Sequence, residues 1–192
     1  MGGAGSIVEA DETYFGSKDG PKPTMTTRGH SFVKRGGNLL AHKRAVVSLV
    51  ERGGKVRSFY AERADQKTVV SIVRDNLDAE SALYTDESRL YHPLATEFAK
   101  RGTVKHSVNE YVRYEGADTI HTNTVEGFYS IFKRGMKGVY QHCGERHLHR
   151  YLAEFDFRYN NRVRLGVDDS ERALRTLGGV KGRRLTYRRV DA

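Results

Sequence analysis

Three stretches near the start of the chain carry the apolar patterns of strands. Ser6 to Gly16 leads with β-formers into Asp11 and stops at a glycine. Arg44 to Glu51 is a nearly unbroken apolar run through Ala45, Val46, Val47, Leu49 and Val50, and Lys55 to Glu62 alternates Val56, Ser58 and Tyr60. Arg52-Gly53-Gly54 between the last two has the composition of a hairpin turn, so the chain is predicted to open with three antiparallel strands. The period then lengthens. Val69, Ile72, Val73 and Leu77 recur at helical spacing over Gln66 to Leu77, with Asp65 placed as the N-cap. Ser81 to Asp86 reads as a short strand ending in a carboxylate. Leu90 to Lys100 is expected to be a helix, Lys105 to Glu110 one more strand, and Tyr111 to Ile120 a polar connection. Val125, Phe128, Ile131 and Phe132 form the apolar stripe of a helix from Asn123 to Arg134, followed by a break over Gly135 to Tyr140. Leu148, Tyr151, Leu152 and Phe155 mark the buried face of another helix, from Glu145 to Tyr159. A short helix is expected around Ser170 to Leu177.

The polar positions add chemistry to this outline. On the helix from Asn123, the side chains of Asn123, Glu126, Ser130 and Lys133 stand at i, i+3, i+7 and i+10 and share one face. Alone, that is an ordinary solvated face. Two upstream carboxylates change its weight. Asp11 lies on a strand expected to be buried, where a carboxylate costs free energy unless it is paired or bound to a cation. Asp86 lies at the carboxyl end of its strand, where open α/β sheets gather ligands, although Asp at such a junction also serves as a turn or cap residue. Glu9 shares the Asp11 face of the first strand and Glu12 points the other way, and both are expected to be solvated or supporting groups. His142, Cys143, His147 and His149 match no closed zinc site, because one thiolate is too few, and are expected to cap and pack.

With 192 residues the chain is long enough for one domain with a sizeable core. It has no apolar run long enough to span a bilayer and no recognisable signal peptide, and its single cysteine excludes an internal disulfide. A reducing cytoplasm is the expected compartment. The net charge of +9 is concentrated: residues 17–44 hold seven Lys/Arg against one acid, and residues 181–192 hold five against one. Such basic segments beside a nearly neutral core suggest a polyanion partner. The proline- and glycine-bearing stretch 17–43 is expected to be a mobile loop that orders on nucleic acid.

The element order is that of the ribonuclease H-like fold, an α/β architecture with a mixed five-stranded sheet flanked by helices. Neighbouring strands in that fold would bring Asp11 and Asp86 together. The chain also resembles the catalytic domain of DDE-type insertion-sequence transposases, specifically the ISXO-like group. The resemblance rests on Asp11-Glu12-Thr13-Tyr14-Phe15-Gly16, on Tyr84-Thr85-Asp86, and on His121 to Phe128. It continues through Lys133-Arg134-Gly135, His147 to Phe155, Arg158-Tyr159-Asn160 and Arg184 to Arg188, all in order. It implies DNA cleavage at element ends followed by strand transfer to target DNA. It implies two magnesium ions, replaceable by manganese, with Asp11 bridging both, Asp86 holding one and a third position the other. Asn123 and Glu126 both qualify for that position. Lys133 would reach a phosphate of the bound end, and Lys34, Arg35, Lys43, Arg44, Arg134, Arg183 and Arg184 are further expected DNA contacts. Residues 1–162 would form the catalytic domain, with 17–43 as a basic insertion, and 163–192 a basic extension. The implied partners are double-stranded DNA and further copies of the chain, in a bacterial cytoplasm at the nucleoid. Full-length relatives carry an N-terminal zinc ribbon or similar DNA-reading module, for which this chain has no cysteines, so it reads as a truncated copy. Its alternatives are an idle DNA-binding remnant or inhibitor, and a nuclease that never joins strands.

If the basic segments contact phosphates, duplex DNA affinity should fall steeply with salt, by ~10³- to 10⁵-fold between about 50 and 200 mM for about six to ten phosphate contacts. A flat response in a titration would remove those segments as contact surfaces.

Overall fold

A computed structural model describes residues 1–17, 43–141 and 143–182. Most of the expected basic loop and the end of the basic tail, with Lys34, Arg35, His142, Arg183 and Arg184, lie outside the described residues.

Strands β1 (Ile7–Ser17), β2 (Lys43–Glu51) and β3 (Val56–Ala61) form the expected antiparallel meander. β4 (Ala82–Thr85) joins the free side of β1 in parallel, and β5 (Lys100–Thr103) runs parallel to β4. The resulting order, β3-β2-β1-β4-β5, is the mixed five-stranded sheet of a ribonuclease H-like fold. Alternation along the strands supplies one core on each face. Val8, Ala10, Val47, Leu49 and Leu83 meet helix α1 (Gln66–Asn76) through Val69, Val70 and Val73. Val46, Val50 and Val56 meet α2 (Asn123–Gly135) and α3 (Leu148–Asn160) through Phe128, Phe132, Leu152 and Phe155. Asp65 caps α1 as expected, its Oδ1 accepting the Thr68 N–H at 2.9 Å. A fourth helix, α4 (Asp169–Gly178), follows α3.

Five expectations need correction. The helix expected over Leu90 to Lys100 is a short 3₁₀ turn, Arg89–Leu94. Pro93 lies inside it, lacks an amide hydrogen and restricts the residue before it, so the turn does not lengthen. The strand expected over Lys105 to Glu110 falls earlier, as β5, and His106–Val108 is another 3₁₀ turn. β5 reads Lys-Arg-Gly-Thr and shows no apolar alternation. Gly102 is what seats it, because a Cβ there would lie 2.6 Å from Tyr84 Cδ1 and 2.8 Å from Ile120 Cγ2. The polar connection 111–120 contains a hairpin, β6 (Arg113–Glu115) and β7 (Asp118–Ile120), turning at Gly116 with φ of 61°. Residues Met136–Tyr140 form a π-helical turn after α2 instead of a break. On α2 itself, Ile131 is 52% exposed and Tyr129 takes its place in the buried face. The tyrosine brings a polar handle: its hydroxyl donates to the Asp11 carbonyl at 2.6 Å. The far end of α2 is fixed by close contact, since a Cβ on Gly135 would sit 2.6 Å from Phe155 Cζ.

Of the two roles expected for Glu9, the structure gives the supporting one: it is fully buried and holds the start of α2. Its Oε2 accepts the Thr124 and Val125 amides at 2.7 and 3.1 Å, and its Oε1 accepts the Thr124 hydroxyl at 2.8 Å and Arg52 Nε at 2.6 Å. A carboxylate here satisfies amides that the first helical turn leaves without partners and faces the positive end of the helix dipole. Arg52 in turn donates to the carbonyls of Thr119 and His121 at 2.7 and 3.0 Å, with its guanidinium over the Tyr84 ring. Glu9→Gln leaves Arg52 with a largely buried charge and no anion, and is expected to cost about 3 kcal/mol. Urea denaturation measures this, and an unchanged midpoint would contradict the assigned role.

Candidate active site

The parallel pairing of β1 and β4 sets Ile7 beside Ala82, Val8 beside Leu83 and Glu9 beside Tyr84. Continued two residues further, the same register brings Asp11 beside Asp86 at the end of β4. Asp11 lies on the Glu9 side of β1, the side covered by α2. Glu126 lies one turn into that helix, and its charge acts on Asp11. The sheet register and one helix therefore bring Asp11, Asp86 and Glu126 into one neighbourhood.

Electrostatics show how tightly these groups are coupled. Asp11 is pushed up to about 8, first by burial, then by the charges of Glu12, Asp86 and Glu126, while the Glu12 amide at 2.8 Å favours its charged form. Burial also raises Asp86, opposed by the Ser88 amide donating to its Oδ1 at 3.0 Å and by the nearby His106 and Arg101. Glu12 is raised by burial too. It faces away from α2, as strand alternation predicts, and accepts the Tyr91 hydroxyl at 2.9 Å.

Glu126 is oriented by its own helix start and by the turn after β5. The Thr122 hydroxyl donates to Glu126 Oε1 at 2.8 Å, and His106 Nε2 lies 3.5 Å from that oxygen and 3.3 Å from the hydroxyl. Tyr111 flanks the His106 ring, with centroids 5.5 Å apart. Asn123 is exposed at the first position of the helix. Lys133 is half-buried and Arg134 exposed, about 10 Å beyond Glu126 along the axis. Among the described residues, no three His, Cys, Asp or Glu side chains are gathered closely enough to hold a metal ion as they stand.

Several of these residues escaped the sequence reading. Thr122 had a weak signal, a hydroxyl directly before a helix with a glutamate one turn on. His106 had none, since its segment read as a strand. Arg101 was hidden in β5. It is half-buried, and the loss of solvent holds its guanidinium down at about 10; it donates to Thr85 Oγ1 next to Asp86. Arg44 is buried and donates to the Cys143 carbonyl, which ties β2 to the segment before α3. Lys43, at the start of β2, is half-buried.

Compared with known families, residues 3–160 match the one described as ISXO2-like transposase domain. No curated protein matches the chain. Among solved structures, the catalytic core domain of HTLV-2 integrase in complex with magnesium (trimeric form) is similar over 81% of this chain and 84% of that one. The two are 10% identical, with a TM-score of 0.40.

The raised Asp11 makes stability depend on pH with a definite sign. Below the ordinary value of 3.8 the group is protonated in both folded and unfolded chains. As pH rises from there to about 8, the unfolded chain releases the proton while the folded one keeps it, so stability falls. Asp11→Asn removes this loss. In urea denaturation with a chelator present, the variant should match the wild type near pH 4 and exceed it at pH 8. An equal difference at both pH values would show that Asp11 is not the group responsible.

Proposed function

This chain belongs to the ISXO2-like transposase domain family, and on that premise we propose that it cuts DNA at the ends of a mobile element and joins the freed 3′ ends to target DNA. The observation that carries this reading is the convergence on Asp11 of the charges of Asp86 and Glu126, from a second strand and a helix. Carboxylates crowded around a buried member of their own kind are costly unless a cation shares the site. Their all-oxygen donor set suits a hard divalent ion, magnesium or in its place manganese. When bound there, two such ions would supply Lewis acidity at the attacking and leaving oxygens of a phosphodiester.

The roles of the chain's own residues follow. Asp11 is the central carboxylate, held from β1 between Asp86 and Glu126. Asp86 is aimed by the Ser88 amide. Glu126 takes the third position in preference to Asn123, because its charge reaches Asp11 and a carboxylate binds such an ion more tightly than an amide oxygen. Thr122 and His106 orient it. Asn123, exposed at the helix start, is left to meet the DNA. Lys133 and Arg134, two turns on, are placed to contact phosphates and fix the position of the bound end. The basic segments within 17–43 and 181–192, with Lys34, Arg35, Lys43, Arg183 and Arg184, extend that contact over the duplex. In this reading residues 1–162 are the catalytic unit and 163–192 an extension. No helix among the described residues is long and apolar enough to cross a membrane.

Asp11→Asn and Asp86→Asn are each expected to abolish magnesium-dependent nicking of a duplex carrying the terminal repeat that flanks the gene. DNA affinity should be unchanged or higher, because a negative charge is removed. Circular dichroism checks that both variants are folded, and magnesium should raise the melting temperature of the wild type but not of either variant. Nicking retained by a folded Asp86→Asn protein would overturn the assignment.

A further inference from the structure

Asp11 stands on β1 and Glu126 on α2, but Asp86 lies just past the end of β4. Backbone beyond a strand end is more mobile than the strand, so other bonds must hold it. The Ser88 amide aims the Asp86 carboxylate. The Asp86 peptide is held from the neighbouring strand. Arg101 on β5 folds its guanidinium back over the end of β4. Its Nη1 donates to the carbonyls of Gly102 and Leu83 at 2.9 and 3.3 Å, and its Nη2 donates to Thr85 Oγ1. Thr85 is fully buried, and its hydroxyl donates to the Asp86 carbonyl at 2.8 Å. Tyr91 lies on the other side of the cation, its ring centroid 5.9 Å from Arg101 Cζ, and its hydroxyl is the one donated to Glu12.

A guanidinium donates and never accepts, whereas a hydroxyl has one proton to give. Thr85 Oγ1 must therefore accept from Arg101, and its proton is left for the Asp86 carbonyl. The charge sets the direction of a hydroxyl that could otherwise turn either way. This placement has a cost, since loss of solvent holds the guanidinium down at about 10 against the attraction of Asp86. A β-branched residue would serve the strand without that cost. We infer that Arg101 is a positioning residue for Asp86 and acts through Thr85: the cation orients the hydroxyl, the hydroxyl holds the Asp86 peptide, and the carboxylate keeps its place beside Asp11. This rests on the reading of Asp86 as a magnesium ligand.

The Thr85 hydroxyl is the link to cut. Thr85→Val keeps nearly the same shape and loses the hydroxyl. It should lower the nicking rate at saturating DNA ~10- to 100-fold, with KM for DNA unchanged. It should also shrink the rise in melting temperature that magnesium gives the wild type, a readout that needs no turnover. Thr85→Ser retains the hydroxyl and should restore both. Arg101→Met added to Thr85→Val should cost no further activity, because both changes act on one peptide. Circular dichroism checks the fold, and where Arg101→Met fails to fold, the valine and serine variants decide. A Thr85→Val protein with the wild-type rate and magnesium response would overturn the inference and leave the carboxylate site standing. So would a Thr85→Ser protein as impaired as Thr85→Val, which would make the role one of packing. A wild type whose melting temperature ignores magnesium would remove the site itself, and this inference with it.

Discussion

A buried carboxylate gripping the start of a helix sets the geometry on which everything else depends. Glu9 reaches from β1 to the Thr124 and Val125 amides and to Arg52, and Arg52 holds the carbonyls just before the helix. One ion pair thus joins the central strand, the turn after β2 and the approach to α2. Asp11 lies two residues further along that strand and Glu126 one turn into that helix. Their separation is therefore a property of one cross-braced unit, and the Tyr129 hydroxyl on the Asp11 carbonyl adds a second brace. Catalytic geometry built on regular elements is held more tightly than geometry built on loops.

The same arrangement stores electrostatic cost. Burial and three carboxylate neighbours push Asp11 far from its ordinary range, in a protein whose overall charge is positive. The long-range field of such a molecule draws in a polyanion, while the local field at Asp11 favours a cation. A phosphodiester attracted by the first meets repulsion at the second unless positive charge stands between them. Sites that trade stability for local charge density in this way are the expected exception to an otherwise consistent fold.

Much of this was legible in the sequence, and the failures have physical causes. The meander and helices α1, α2 and α3 follow from apolar pattern, β2 as an unbroken run buried on both faces and each helix as one regular buried stripe. Asp11 and Asp86 stood out as carboxylates on strands. β5 did not, because its place is set by what Gly102 lacks and not by apolar side chains. The Ile131 and Tyr129 exchange shows where hydrophobicity alone misleads, since a buried tyrosine with a hydrogen-bond partner takes the place of a larger aliphatic contribution. Glu9 and Asp11 are the same kind of group on the same face, two residues apart. Only their partners separate a structural anchor from a candidate ligand. Those of Glu9, at Arg52 and Thr124, lie 43 and 115 residues away, where local pattern carries no information.

The close seat of Gly135 on Phe155 has a dynamic corollary. With Glu9 clamping one end of α2 and that glycine wedged at the other, the rod can neither slide nor swing without unmaking a core. Any tightening of the carboxylates around cargo is then left to rotamer changes in Glu126 and to the short segment after β4. Such adjustments are small, fast and local, so this centre would behave as a rigid cradle with adjustable fingertips and not as a closing jaw.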